Sequence, residues 1–317
     1  MAHEPFVPLR VLSGYSMLEG AIEPKALAQL AKERGFPAIA VADRNGLYCA
    51  PAFAGACFDK GVQPIIGTLL AVARPGASGV NGSPVIDWLA LYAQNEAGWL
   101  NLCHLVSAAH LDRPGEFDAH VPLEALEGHS DGLICLSGAG EGALARLLAD
   151  GREAAAESYA ARLEALFPGR LYIELARRGD AIESAAEAGL IRLAYGSGLP
   201  LVATNPATYG EPQFYEAHDA MLCIAAATHV DAADRPRSSP QNWVKSAPMM
   251  AELFADCPEA LANTLVVARR CAFAPPKRKP LLPSLAGDKD GEAAMLAEEA
   301  RAGLELRLAP YGELPDE

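Results

Sequence analysis

The residue types suited to metal or nucleophile chemistry are all present in this chain, but their spacing is poor for it. The seven histidines are His3, His104, His110, His120, His129, His218 and His229, and no two stand at a convincing ligand spacing. Each reads as structural or surface, with His218 packing inside a helix. The seven cysteines, Cys49, Cys57, Cys103, Cys135, Cys223, Cys257 and Cys271, are odd in number and contain no Cys-x-x-Cys pair. Several lie in apolar runs, such as Leu133-Ile134-Cys135-Leu136, which fits buried free thiols of a reducing compartment better than disulfides or zinc. Asp43 closes an apolar run before Arg44-Asn45-Gly46, a place where an aspartate caps or pairs more often than it ligates. Ser137 follows a strand-like run but has no Gly-x-Ser-x-Gly elbow, so turn chemistry explains it. Gly138-Ala139-Gly140 with Gly142 lacks the Lys-Ser/Thr of a phosphate loop and reads as helix entry. Glu174 reads as a solvated or paired acid and Glu183 as a helix-face acid. Lys277-Arg278-Lys279 is a small patch on a solvated linker.

The elements that must position these residues alternate. Phe6–Leu12 is a strand candidate. Pro24–Arg34 has helical spacing with proline in its first turn and stops at Gly35. Ala38–Asp43 is a continuous apolar strand, Pro51–Lys60 a helix and Val62–Ala73 a strand. Strands over Trp88–Ala93, Gly132–Leu136, Leu171–Leu175 and Leu201–Asn205 then alternate with helices over Ala97–His110, Glu141–Ala149, Arg152–Leu166 and Ala181–Tyr195. Strands apolar on both faces and separated by helices imply parallel pairing with crossovers. After residue 210 the pattern is helical, over Glu211–Ala226, Ala247–Ala255 and Pro258–Cys271, with a polar loop at Asp231–Gln241. Ala274–Pro283 is a proline-rich basic linker. The tail Glu292–Leu308 carries Leu296, Ala300, Leu304 and Leu308 four apart, with nothing obvious for that face to cover, and Leu314-Pro315-Asp316-Glu317 reads as a cut.

Composition narrows the function classes. Hydrophobic residues make up 51% and charged residues 21% of 317, a globular balance with room for one large barrel or two ordinary domains. No run of eighteen uncharged apolar residues suggests a membrane span. The opening Met1–Arg10 lacks the pattern of a secretory signal, so a cytoplasmic location is expected. With 26 basic against 40 acidic residues the net charge is −14, and such a chain does not track a phosphate backbone unaided.

Longer segments resemble a known family. FVPLRVLSGYSMLEGAI, GFPAIAVADRNGL and VQPIIG, followed in order by LYAQNEAGWLNLCHLVSAAH, GLICLSG, LYIELARRGD, LPLVATN, FYEAHDAMLCIA, AELFADCPEALANT and EEARAGLELRL, are similar to the opening of bacterial DNA polymerase III alpha subunits. The segment Tyr15–Ala21 looks like the replicative form. The resemblance implies an α/β fold: a distorted (β/α)7 PHP-type barrel with parallel strands over 1–273. A helical C-terminal segment over 274–317 would comprise the linker and the start of a polymerase body. Relatives with phosphoesterase activity hold up to three divalent metals at the carboxyl ends of the strands, on histidines, aspartates and a glutamate.

At the positions that the resemblance marks as ligands, this sequence reads Arg10 and Leu12 for His-x-His, Asp43-Arg44 for Asp-His and Leu69 for the glutamate. Trp88 and Arg178 stand for two histidines, and Asn205-Pro206-Ala207-Thr208 for Asn-Asp-x-His. Only Asp43 keeps a ligand. Arginine stays protonated and repels cations; Leu12, Leu69, Trp88 and Pro206 offer no donor. The vestigial pocket is therefore expected at Arg10, Leu12, Asp43, Arg44, Leu69, Trp88, Arg178, Pro206 and Thr208, with no metal, no catalytic residue and no cofactor in this piece. Leu12, Leu69 and Trp88 are expected as fillers, Arg10 or Arg44 as an ion-pair partner of Asp43, and an anion between the arginines is conceivable. What the resemblance implies is a structural and docking module for the proofreading exonuclease. Its parent chain would be a DNA-directed DNA polymerase whose absent palm uses Mg2+ and meets DNA. The alternative is a metal-dependent phosphoesterase or 3′-5′ exonuclease drawing ligands from His104, His110 or Glu174.

Overall fold

A computed structural model describes residues 5–113, 115–276 and 283–312. His3, most of the basic linker with Lys277-Arg278-Lys279, and the ending 314–317 lie outside the described residues. The described residues fall into two compact units, divided between Pro275 and Pro276.

In the first unit the elements run α1 (Pro24–Glu33), β1 (Ala38–Arg44), α2 (Ala50–Lys60), β2 (Gln63–Ser78), β3 (Pro84–Ala93), α3 (Glu96–Leu111) and β4 (Val121–Pro122). They continue with β5 (Leu133–Leu136), α4 (Ala143–Ala149), α5 (Glu153–Leu166), β6 (Leu171–Ala176), α6 (Ala181–Ser197) and β7 (Leu201–Thr204), then the helices α7 (Tyr215–Ala225), α8 (Ala247–Leu253) and α9 (Pro258–Arg270). Sheet order is β1-β2-β3-β5-β6-β7, with β4 beside β2.

The segment expected as a first strand, 6–12, is extended but makes only one isolated bridge, Val11 with Ala207. Pro5 and Pro8 remove two ladder donors, which accounts for the irregularity. The segment still closes the ring. On one side Ala40 N donates to Pro8 O and Ala42 N to Val11 O, both at 2.9 Å; on the other Ala207 N donates to Arg10 O at 2.8 Å and Leu12 N to Ala207 O at 2.9 Å. The curled sheet is thus the distorted barrel the sequence implied. One strand departs from the parallel expectation: β3 runs antiparallel to both β2 and β5. Its connection to β2 is a short turn with Asn81 and Gly82 at positive φ, and so short a link joins only antiparallel strands.

Strand side chains alternate between two apolar layers. Ala38, Ala40, Ala42, Ile65, Leu69, Ala90, Tyr92, Ile134, Leu136, Tyr172 and Val202 fill the barrel, with Val7, Leu9 and Leu12. Ile39, Val41, Ile66, Leu91, Cys135, Ile173 and Ala203 face the helices. Val267, Ala268 and Cys271 of the α9 region complete the inner layer, and Gln63 at the start of β2 donates to Ala268 O at 2.7 Å, so α9 closes the amino end of the barrel. The carboxyl ends are left for polar residues.

The second unit holds α10 (Lys289–Leu308), capped by the Asp288 carboxylate on Gly291 N at 2.7 Å. None of its residues is buried. Among the described residues no helix is long and apolar enough to cross a membrane.

Candidate functional site

At the carboxyl end of β1 the alternation separates two chain neighbours. Arg44 continues the inward row of Ala38, Ala40 and Ala42, whereas Asp43 continues the outward row of Ile39 and Val41. Asp43 is buried and accepts four donors: Ser13 N at 2.8 Å, Ser13 Oγ at 2.7 Å, Ser16 Oγ at 2.8 Å and Cys49 Sγ at 3.1 Å. Burial, then the Asp43 charge, pushes the Cys49 thiol up, so it stays a protonated donor. The expected pairing of Asp43 with an arginine is not found: neither Arg10 nor Arg44 reaches it among the described residues. Asp43 instead anchors the loop 13–20.

The two arginines meet three glutamates. Arg10, 1% exposed, sets Nη1 against Glu174 Oε1 at 3.0 Å and Oε2 at 2.9 Å, and Nη2 against Glu141 Oε2 at 2.7 Å. Arg44 uses Nη2 on Glu141 Oε1 at 2.5 Å and grips Glu19 through Nε and Nη2 at 2.5–2.8 Å. Its guanidinium lies over Trp88, 4.3 Å from the ring centroid, a cation–π contact. Glu141 therefore bridges both cations. Burial alone would raise its carboxyl; the Arg44 and Arg10 charges outweigh that and hold it at about 2. Burial likewise opposes the charge on each arginine and is overcome, by Glu174 and Glu141 at Arg10 and by Glu141 and Glu19 at Arg44. Glu174 is fully buried within β6 and also accepts Gly138 N at 3.0 Å and Thr204 Oγ1 at 2.6 Å.

The other expected pocket residues surround this network. Leu12 and Leu69 are buried in the inner layer, with Trp88 packed against it. Arg178 pairs with Glu183 at 2.5 Å, and Glu183 is 4% exposed, so it is a buried counter-ion rather than the helix-face acid expected. Pro206 and Thr208 follow β7, and Thr208 O accepts Ala21 N at 2.7 Å. Nearby Lys245 is buried, its Nζ donating to Asn205 Oδ1 at 2.8 Å and Gln241 O at 2.6 Å. Burial, then the Arg178 charge, lowers its amine to about 8.

Three participants were not legible as such in the sequence: Glu19, Glu141 and Lys245. Glu19 comes from a loop 25 residues from Arg44, and Glu141, expected to open a helix, lies in the turn before α4, 131 residues from Arg10; neither position carries a local signal for an ion pair. Glu19 is set by the loop that Ser13 and Ser16 anchor, and its carbonyl accepts His218 Nε2 at 2.8 Å. Gly20 is required there, because a Cβ would lie 2.0 Å from Ser13 O.

A divalent metal does not fit this set. No cluster of three or more histidine, cysteine or carboxylate side chains suited to a metal occurs among the described residues. Glu19, Glu141, Glu174 and Glu183 are committed to guanidinium groups, which repel cations, and Asp43 is taken up by hydroxyl, backbone and thiol donors. The alternative ligands are dispersed: His104 stacks on His129 at 3.8 Å, His110 Nε2 meets Asn45 O at 2.9 Å, and Glu174 is held by Arg10.

The PHP domain family model matches residues 8–178, more than half of the chain. The chain belongs to the PHP domain family. As a PHP chain it is 45% identical over 309 residues to the DNA polymerase III subunit alpha of Caulobacter vibrioides, covering 96% of this chain and 27% of that protein. The Escherichia coli (strain K12) subunit of the same name is 35% identical over 311 residues, 98% of this chain and 26% of that one. That of Rickettsia bellii is 33% identical over 303 residues, 96% and 25%. These matches place the chain with the PHP region of polymerase III alpha subunits, and it spans about a quarter of their length. A solved structure assigned as a metal-dependent phosphoesterase from Bifidobacterium adolescentis aligns over 78% of this chain and 95% of its own, at 12% identity and TM-score 0.44.

Proposed function

We propose that this PHP domain is a structural and docking module of a replicative DNA polymerase III alpha subunit, and that it does no metal chemistry of its own. The observation that carries this is the buried Glu174–Arg10–Glu141–Arg44–Glu19 chain at the strand ends. Arginines stand at three of the positions that in the family resemblance carry histidine ligands, and glutamates neutralise them. The cationic side chains replace metal charge as the glue between strands, and Leu12 and Leu69 fill the space beneath. The longer protein would be a cytoplasmic DNA-directed DNA polymerase, meeting DNA and Mg2+ through parts other than these residues. The partner of this domain would be the proofreading exonuclease subunit.

Two assays on one purified protein test this. One measures hydrolysis of p-nitrophenyl phosphate and of a 3′-labelled oligonucleotide with manganese or zinc. The other measures association with the purified exonuclease subunit by calorimetry. No turnover together with a complex supports the proposal. Turnover that disappears in Asp43→Ala would establish the alternative, a metal phosphoesterase with unexpected ligands. No association would remove the docking role.

A further inference from the structure

A lysine is seldom buried without an acid to pair with it. Lys245 is 5% exposed, and no carboxylate forms an ion pair with it among the described residues. The acid whose charge acts on it, Glu183, is spent on Arg178 at 2.5 Å. The Trp243 ring lies 5.6 Å from Nζ and also carries Arg34, at 5.5 Å. Nζ itself has two partners, both neutral acceptors: Asn205 Oδ1 at 2.8 Å and Gln241 O at 2.6 Å. An ammonium brings three N–H donors, whereas a neutral amine brings two and a lone pair. The site therefore matches the neutral amine and leaves its lone pair unoccupied.

Burial first and the Arg178 charge second hold this amine at about 8. At pH 8 about half of it is neutral, roughly a hundredfold more than of an exposed lysine. A neutral lysine amine shielded from water is a nucleophile. Its surroundings select the electrophile by size and by charge. The amine is buried beneath the carbonyl of Gln241, an exposed residue, so a molecule of a few atoms can reach it and a bulky one cannot. Arg178 favours a product that becomes anionic. Its Nε and Nη2 hold Glu183 Oε1 at 2.9 and 2.5 Å, and its Nη1 makes no hydrogen bond among the described residues. The same cation that opposes an ammonium at Nζ would stabilise a negative group built there. Carbon dioxide meets both conditions.

We propose that Lys245 is a reversible carbamylation site, at which the buried amine takes up carbon dioxide and Arg178 holds the carbamate. The lone pair of Nζ forms the new N–C bond, one C–O double bond of carbon dioxide opens to give the carboxylate, and one proton leaves the nitrogen for water. Nothing is oxidised or reduced. The product keeps one N–H for Asn205 Oδ1, while the carbonyl of the exposed Gln241 turns to water. A neutral donor beside the end of β7 thereby becomes an anion. The inference does not depend on the polymerase or docking reading.

The probe is 13C-labelled bicarbonate, equilibrated with the purified chain at pH 8. Carbamates are then trapped as esters with a trialkyloxonium salt and located by peptide mass spectrometry. Label should appear on Lys245 at about tenfold or more the level on any exposed lysine. Arg178→Gln should lower it about tenfold, with folding checked by circular dichroism. If that variant does not fold, the wild type still decides. At fixed dissolved carbon dioxide, labelling of Lys245 should reach half its maximum near pH 8, whereas an ordinary lysine would need a pH near 10.5. Label confined to the terminal amine, label on Lys245 no higher than on exposed lysines, or a midpoint near 10.5 overturns the proposal. Undiminished label in folded Arg178→Gln overturns the part given to Arg178.

Discussion

Asp43 and Arg44 are adjacent at the end of β1, yet their side chains leave the strand on opposite faces and belong to two separate networks. Asp43 collects Ser13, Ser16 and Cys49 on the outer side, while Arg44 collects Glu19, Glu141 and Trp88 at the barrel mouth. The first network anchors the loop 13–20 by hydrogen bonds; the second neutralises buried charge. Glu19 joins them, since it lies in the anchored loop and supplies a counter-ion to Arg44.

Removing the Asp43 carboxylate should therefore loosen the loop before it affects the barrel. Asp43→Ala leaves two serine hydroxyls and one backbone N–H without their acceptor, at a cost of about 2–4 kcal/mol. Chemical denaturation should show that loss. Limited proteolysis should cut the variant near Tyr15 and Met17, which are already exposed, faster than wild type.

Glu174→Leu should be among the most damaging single changes in the pocket. It strips Arg10 of its buried partner and also leaves Gly138 N and Thr204 Oγ1 unmatched. Breaking a buried pair from one side costs about 3–5 kcal/mol. Arg10→Met combined with Glu174→Leu should recover a large part of that loss, and a double-mutant cycle in urea would reveal the coupling. Additive losses would mean the pair contributes no mutual stabilisation.

Acid should attack the same network through Glu141. Its carboxyl falls from an ordinary 4.5 to about 2 on folding. A depressed carboxyl contributes stability that is fully present above the unfolded value and is lost as pH drops through the folded one. The window is thus pH 4.5 to about 2, with a contribution on the order of 3 kcal/mol. Glu141→Gln should flatten that part of the stability–pH curve relative to wild type.

Lys245 should act in the same pH direction but in an alkaline window. Its amine drops from 10.5 to about 8 on folding, so the unfolded chain holds the proton more tightly. Between those values stability rises with pH as the buried charge is lost. The wild type minus Lys245→Met difference should therefore grow from pH 8 toward pH 10.5, by a few kcal/mol at most.

Much of this architecture could be read from the residues. Continuous apolar runs marked β1, β2, β5, β6 and β7, and α1, α2 and α6 begin or end beside the proline or glycine that the sequence places there. The antiparallel β3 was also signalled, by Asn81-Gly82 between two strand runs, a hairpin signature that the βα rhythm concealed. The opposed faces of Asp43 and Arg44 follow from period-two alternation alone, so their pairing was excluded by the strand in which both sit. Glu19 and Glu141 were not readable, because only the closed barrel brings loops after the first segment and after β5 to one mouth. The pairing of Glu183 is local, with Arg178 five residues before it, but its burial is set by the packing of the barrel mouth and not by the helical pattern.

The most direct test of the central proposal, that arginine–glutamate pairs have taken the place of metal, is elemental analysis of the purified chain after equilibration with zinc and manganese, read as metal bound per chain. The expected ratio is near zero, and it should stay there in Asp43→Ala. A ratio of one or more that is lost on changing Asp43 to Ala would contradict it and assign the strand ends to metal after all.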